Sequence, residues 1–319
     1  MRKRITALLA SAALFSACTA EPAEETAGTE QLQIVVTVFP EYDWVMNILG
    51  DNPGNAEVTL LLDSGVDLHS YQPAAQDVMR IAACDLFIYV GGESDAWVED
   101  ALRESANDNL IVISLLDELG DAVKEEEHVE GMQEEHHEHE EAEYDEHVWL
   151  SLRNAAVLVD RISRMLCEAD PEHADLYSAN AEGYTEQLKS LDHEYASALE
   201  NAPYRTLLFG DRFPFRYLVD DYGLDYYAAF AGCSAETEAS FETVIFLSDK
   251  LRELDLPAVM TIEGTDHRIA DTIVENAGGG RKVLTLDSMQ GTTMKDVQEG
   301  TTYLKVMEKN LEVLKEALY

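Results

Sequence analysis

From Leu32 onward the chain alternates short apolar runs with amphipathic stretches, and this alternation constrains the fold more than any other feature. QIVVTVF (33–39) reads as a strand, EYDWVMNILG as a helix ended by Gly50, AEVTLLL as a strand, and PAAQDVMRIAA as a helix with Pro73 near its start. CDLFIYV, SDAWVEDALRE and LIVISLL continue the pattern as strand, helix and strand. TLLFG (206–210), FRYLVDDYG, LDYYAAF, SFETVIFLSDKLREL, AVMTIEG, HRIADTIVENAGGG, KVLTLDS and VQEGTTYLKVMEKNLEVLKEALY repeat that grammar in the second half. Strand and helix in strict turn predict open parallel sheets covered by helices. Between the halves lie two helical stretches, SLRNAAVLVDRISRMLCEAD and PEHADLYSANAEGYTEQLKSLDHEYASALEN. The second, at about 30 residues, would span roughly 45 Å and is read as a strut. The expectation is an α/β protein of two Rossmann-like lobes, residues 32–169 and 203–319, joined by a long rigid helix over 170–202. No internal sequence repeat relates the lobes.

In open α/β sheets, ligands sit beyond the carboxyl ends of the strands. DSGVDLHSYQP, with His69, follows AEVTLLL; Asp211 follows TLLFG, Glu263 follows AVMTI, and Asp287 follows KVLTL. His147 stands where an acidic run gives way to an apolar helical period. Two imidazoles from one lobe and carboxylates from the other would make an inter-lobe nitrogen and oxygen site for zinc, manganese or ferrous iron. Plainer roles stand beside this one. His69 could be a surface loop residue, Asp287 a turn cap, and Asp211 a partner of Arg212 or Arg216.

The acidic run over 124–146 carries His128, His136, His137 and His139 among glutamates. Imidazoles crowded among carboxylates attract divalent cations through exchangeable ligand sets. Such a run buries no core and is expected to stay disordered without metal. At the other end of the chain, residues 1–18 have a basic start, an apolar middle and small residues before Cys18, the pattern of an export signal too short to remain as a membrane span. Its last residues resemble a lipobox, which makes Cys18 a candidate lipidated N-terminus, and 19–31 reads as a flexible tether. A formal charge of -41 argues against a nucleic-acid surface and suits a protein that handles cations. Cys84, Cys167 and Cys233 lack metal-type spacing and read as packing residues, with one bridge possible in an exported chain.

GVDLHSYQP and DEHVWLSLRNA resemble the two histidine motifs of the zinc/manganese-type substrate-binding lipoproteins of ABC importers. ACDLFIYVGGESDAWVEDAL, FRYLVDDYGL, LTLDSM and TTYLKVMEKNLEVLKEAL match further segments of that family in order, from Leu32 to Tyr319. The resemblance implies one metal ion held in the inter-lobe cleft and handed to a membrane permease and its ATPase by a lipid-anchored, extracytoplasmic receptor, expected to be a monomer and not an enzyme. By position it implies His69 and His147 as first-lobe ligands and Asp287 as a second-lobe ligand. The family's remaining ligand position, three residues before the phenylalanine of its F-x-Y motif, is Arg212 here. Arginine has only donors and cannot ligate a cation. Asp211 is the nearest substitute, with Glu263 in reserve. The resemblance also implies zinc, because that family's zinc-handling members often carry a histidine-rich acidic loop between the two histidine motifs, while two carboxylates beside two histidines would by hardness suit manganese as well. A zinc hydrolase using Glu263 as general base, and a surface adhesin on the same fold, are the rival readings.

Overall fold

The computed structural model describes residues 31–51, 55–105, 107–133, 144–234 and 238–319. Cys18, the 19–31 stretch apart from Gln31, and His136, His137 and His139 therefore lie outside the described residues. The first half runs β1 (Leu32–Val36), α1 (Phe39–Leu49), β2 (Ala56–Leu60), α2 (Ala75–Ala83), β3 (Leu86–Tyr89), α3 (Val98–Arg103), β4 (Ile111–Ser114) and α4 (Leu115–Leu119). After α5 (Leu152–Ala169) and α6 (Ala174–Leu199) come β5 (Thr206–Phe213), α7 (Arg216–Tyr222), β6 (Asp225–Ala231) and α8 (Phe241–Glu253). The chain closes with β7 (Ala258–Ile262), α9 (Arg268–Asn276), β8 (Lys282–Leu286), α10 (Met294–Gln298) and α11 (Tyr303–Leu318).

The strands form two four-stranded sheets in the orders β2-β1-β3-β4 and β6-β5-β7-β8, and every pairing is parallel. Strands covered on both faces need unbroken apolar runs, as in AVMTI of β7, where all five residues are buried. The alternation in the sequence thus becomes two α/β layers with the same strand order. The long helix α6 buries Tyr177, Ala181, Tyr184, Leu188, Leu191, Tyr195 and Leu199 at helical spacing, and it packs against α1, α5, α7 and α11. Its 26 residues span about 39 Å at 1.5 Å per residue.

Three local departures from the sequence reading have physical causes. Phe39 opens α1 instead of ending β1, because the buried Glu41 carboxylate accepts the Thr37 and Val38 N–H groups and turns the chain into the helix. The terminal helical stretch breaks at Gly300, at φ 99, and restarts under a Thr302 cap. β5 does not stop at Gly210; it continues through a register shift between Phe209 and Arg212, so Asp211 and Arg212 lie inside the strand.

The acidic run is also ordered over its first part, against expectation. Val129 and Met132 pack on the core, Gln133 N donates to Ala229 O at 2.9 Å, and Glu126 accepts the Cys233 N–H at 2.9 Å. Glu126 serves as a backbone acceptor, Glu127 pairs with Tyr226 and Arg216, and the two apolar residues act as anchors, so 124–133 lies along the second sheet.

Candidate metal centre

His69 sits in a short 3₁₀ turn, Leu68–Ser70, in the segment after β2, and Asp67 caps that turn by accepting the His69 N–H at 3.0 Å. His147 immediately precedes the 3₁₀ turn Val148–Leu150 that leads into α5. Their Nε2 atoms stand 3.2 Å apart. Two nitrogens bound tetrahedrally to one zinc at 2.0–2.1 Å would be separated by about 3.3 Å. Both rings are nearly or wholly buried, at 7% and 0% side-chain exposure.

The outer nitrogens are held by the protein. His69 Nδ1 pairs with Ser94 Oγ at 2.7 Å. His147 Nδ1 donates to Asp145 Oδ1 at 2.9 Å, and the same oxygen accepts the His147 backbone N–H at 2.9 Å. Pairing Nδ1 in this way turns the Nε2 lone pairs toward a common point, the arrangement typical of metal-binding histidines. Asp145 is itself placed from the second half of the chain: Tyr217 OH, on α7, donates to Asp145 O at 2.7 Å. Trp149 stands edge-on against His147 with ring centroids 5.4 Å apart, and its indole donates to Ser288 O at 2.9 Å. The second glycine after β3 makes room for Glu146. Gly92 has φ 84, and a Cβ there would lie 2.3 Å from Glu146 Oε1. Ser94 N donates to that oxygen at 2.9 Å, while Glu146 Oε2 is buried without a hydrogen-bond partner, 3.5 Å from His69 Nδ1.

Electrostatics divide the protons of this cluster. Burial, together with the neighbouring His147, pushes His69 down to about 3. Burial also opposes charge on His147, but Asp145 and its hydrogen bond, then Glu146 and Asp67, outweigh it and hold the pKa above the ordinary histidine value. Burial pushes Glu146 up to about 7. One imidazole is thus kept neutral beside one that readily holds a proton, and a divalent cation between them would replace that proton with a larger positive charge.

Among the described residues, the histidine, cysteine and acidic side chains that can meet at one point are His69, His147 and Cys233, whose donor atoms all lie within 4.8 Å of one another. Cys233 follows β6 and was expected to be a packing residue. Cys84 and Cys167 do fit that role, their thiols donating to the Ile81 and Ala174 carbonyls. Burial and the carboxylates of Asp145, Glu126 and Glu146 push the Cys233 thiol well above its usual pKa. Asp211 and Asp287 stand outside this group. Asp211 Oδ2 accepts from Ile262 N and Thr265 Oγ1, fastening the turn after β7. Asp287 Oδ1 accepts the Met289 N–H at 2.9 Å, the turn-capping role. The reserve ligand Glu263 holds the same turn by accepting from Ser288 N, Ser288 Oγ and Gln290 N. His128 is exposed and lines a surface groove with Arg216, Asp220 and Tyr227.

Residues 34–317 match the family model described as ZnuA, zinc-uptake complex component A, periplasmic. The chain belongs to the ZnuA family. Among curated ZnuA-type relatives, the zinc-binding lipoprotein AdcA of Streptococcus pneumoniae strain R6 is 31% identical over 98% of this chain and 61% of its own length. The high-affinity zinc uptake system protein ZnuA of Bacillus subtilis strain 168 is 28% identical, covering 100% of this chain and 99% of its own. The chain spans 61% of the length of the streptococcal zinc-binding AdcA proteins it matches. The crystal structure of the Zn(II)-bound ZnuA-like domain of S. pneumoniae AdcA superposes with a TM-score of 0.71 at 30% identity, covering 90% of this chain and 99% of that one. The laminin-binding protein Lmb of Streptococcus agalactiae, at 24% identity and a TM-score of 0.73, shares the fold.

Proposed function

We propose that this chain is the extracytoplasmic zinc receptor of an ABC importer, binding Zn²⁺ through His69 Nε2 and His147 Nε2 and releasing it to a permease served by an ATPase. The carrying observation is the pair of Nε2 atoms 3.2 Å apart, each ring fixed at Nδ1 by Ser94 or Asp145. Ligands oriented in advance and almost fully desolvated hold a cation with little reorganisation, which suits capture at low concentration. Similarity to proteins named for zinc binding and zinc uptake supports zinc over manganese as the cargo. Binding and release require no bond chemistry, and we assign no enzymatic step. Lipidation at Cys18 would tether the receptor as a monomer beside its permease, with lobes over 32–169 and 203–319 closing on the ion and the 170–202 segment between them. His128, His136, His137 and His139 would gather metal at low affinity ahead of the cleft.

Competitive zinc titration of the full chain tests this reading. One tight equivalent is expected, lost in the His69→Ala/His147→Ala variant and kept when 134–143 is deleted. A double variant that retains tight zinc would overturn it.

A further inference from the structure

On the receptor reading above, we infer that Cys233 supplies a third ligand beside His69 and His147, giving a two-nitrogen, one-sulfur site that takes zinc and other thiophilic divalent cations and rejects manganese. The position that the family uses for a second-half ligand holds Arg212, and its guanidinium has other work. Nη2 donates to Asp67 Oδ2 at 2.6 Å and Nη1 to Ser234 O at 3.2 Å. Arg212 therefore ties the turn carrying His69 to the turn carrying Cys233, and brings onto the imidazoles a donor from the neighbouring strand.

Gly232 is an independent sign that this turn is built to close on the site. A Cβ there would lie 2.8 Å from Phe213 O and 3.2 and 3.3 Å from His147 Cε1 and Nδ1, so any side chain would hold the Cys233 turn off the ring. Glu126 secures the turn by accepting the Cys233 N–H at 2.9 Å. The resulting separations suit one cation: Nε2 to Nε2 is 3.2 Å, and Sγ lies within 4.8 Å of a ring nitrogen of each histidine. Zn–N bonds of 2.0–2.1 Å and a Zn–S bond of about 2.3 Å call for nitrogen to sulfur separations of about 3.6 Å, reached by a small closure of the Cys233 turn. A thiolate beside two imidazoles is a borderline-soft set that binds zinc or cobalt well, whereas manganese prefers carboxylate, carbonyl and water oxygen.

Cobalt titration of the full chain is the test, because thiolate ligation produces an intense sulfur-to-cobalt charge-transfer absorption in the near ultraviolet. One tight equivalent with that band is expected, the band persisting in Cys167→Ser and vanishing in Cys233→Ser. Zinc affinity of Cys233→Ser should fall by at least the 10–100-fold typical of a lost second-shell partner, with manganese affinity little changed. Circular dichroism and retained cobalt d–d bands would show that the variant is folded. Tight cobalt without the charge-transfer band, or unchanged zinc affinity in folded Cys233→Ser, would overturn the ligand role and leave the receptor reading standing. No tight metal in the unaltered chain would overturn both.

Discussion

His147 is fixed through its backbone N–H and its Nδ1 by one oxygen, Asp145 Oδ1, and this carboxylate sets its direction and is the largest contribution raising its proton affinity against burial, ahead of Glu146 and Asp67. Replacing Asp145 by Ala should lower zinc affinity about 10–100-fold, measured by competition with a chelating dye, although Asp145 touches no metal. The same contact sets the pH response. His147 is held above the ordinary value near 6.5, and zinc competes with its proton. Affinity should therefore be little affected by this group above its raised pKa and fall as pH drops through it, by up to about tenfold per unit. His69, pushed down to about 3, should add nothing to that fall in the neutral range. Titrations between pH 5 and 8 check the sign: an affinity rising on acidification would contradict the assignment.

At the scale of elements, the irregularity in β5 decides which residues meet. By running on past Gly210, the strand puts Asp211 against the β7 turn and Arg212 between Asp67 and Ser234. Arg212→Ala should then weaken zinc binding without removing a ligand, because two turns lose their common donor. Gly232→Ala should cost about 1–3 kcal/mol in chemical denaturation, since its Cβ meets backbone and the flexible end of no side chain relieves the contact at Phe213 O. The acidic run divides into two parts as well. Deleting 134–143 should leave the tight site intact, whereas a deletion reaching into 124–133 removes Glu126, Val129 and Met132 and should lower both thermal stability and zinc affinity.

For the whole molecule, the candidate site is assembled from distant parts of the chain: the turn after β2, the approach to α5 and the turn after β6, with Tyr217 on α7 placing Asp145. Zinc bound at such a junction stabilises only the assembled state. At a free concentration 100 times Kd it should add about 2.7 kcal/mol, seen as a rise in Tm that a chelator reverses. The His69→Ala/His147→Ala variant should show no such rise.

Much of this was legible in the residues. Periodicity alone separates strands from helices, because apolar runs of five and amphipathic stretches of ten or more bury different faces, and GVDLHSYQP and DEHVWLSLRNA mark the two histidines by local context. The third member of the cluster was not legible. Cys233 has no ligand-like spacing, Asp211 and Asp287 sit where strand-end logic puts ligands, and the path of β5 through its register shift depends on packing between β6 and β7 rather than on local propensity. Strand and helix order, the acidic character and the two imidazoles belong to the sequence itself, since each follows from neighbours within a few residues. Which side chains from the second half meet those imidazoles was decided by tertiary structure, because a strand irregularity, a side-chain-free glycine and an arginine clamp act only once the two sheets are side by side.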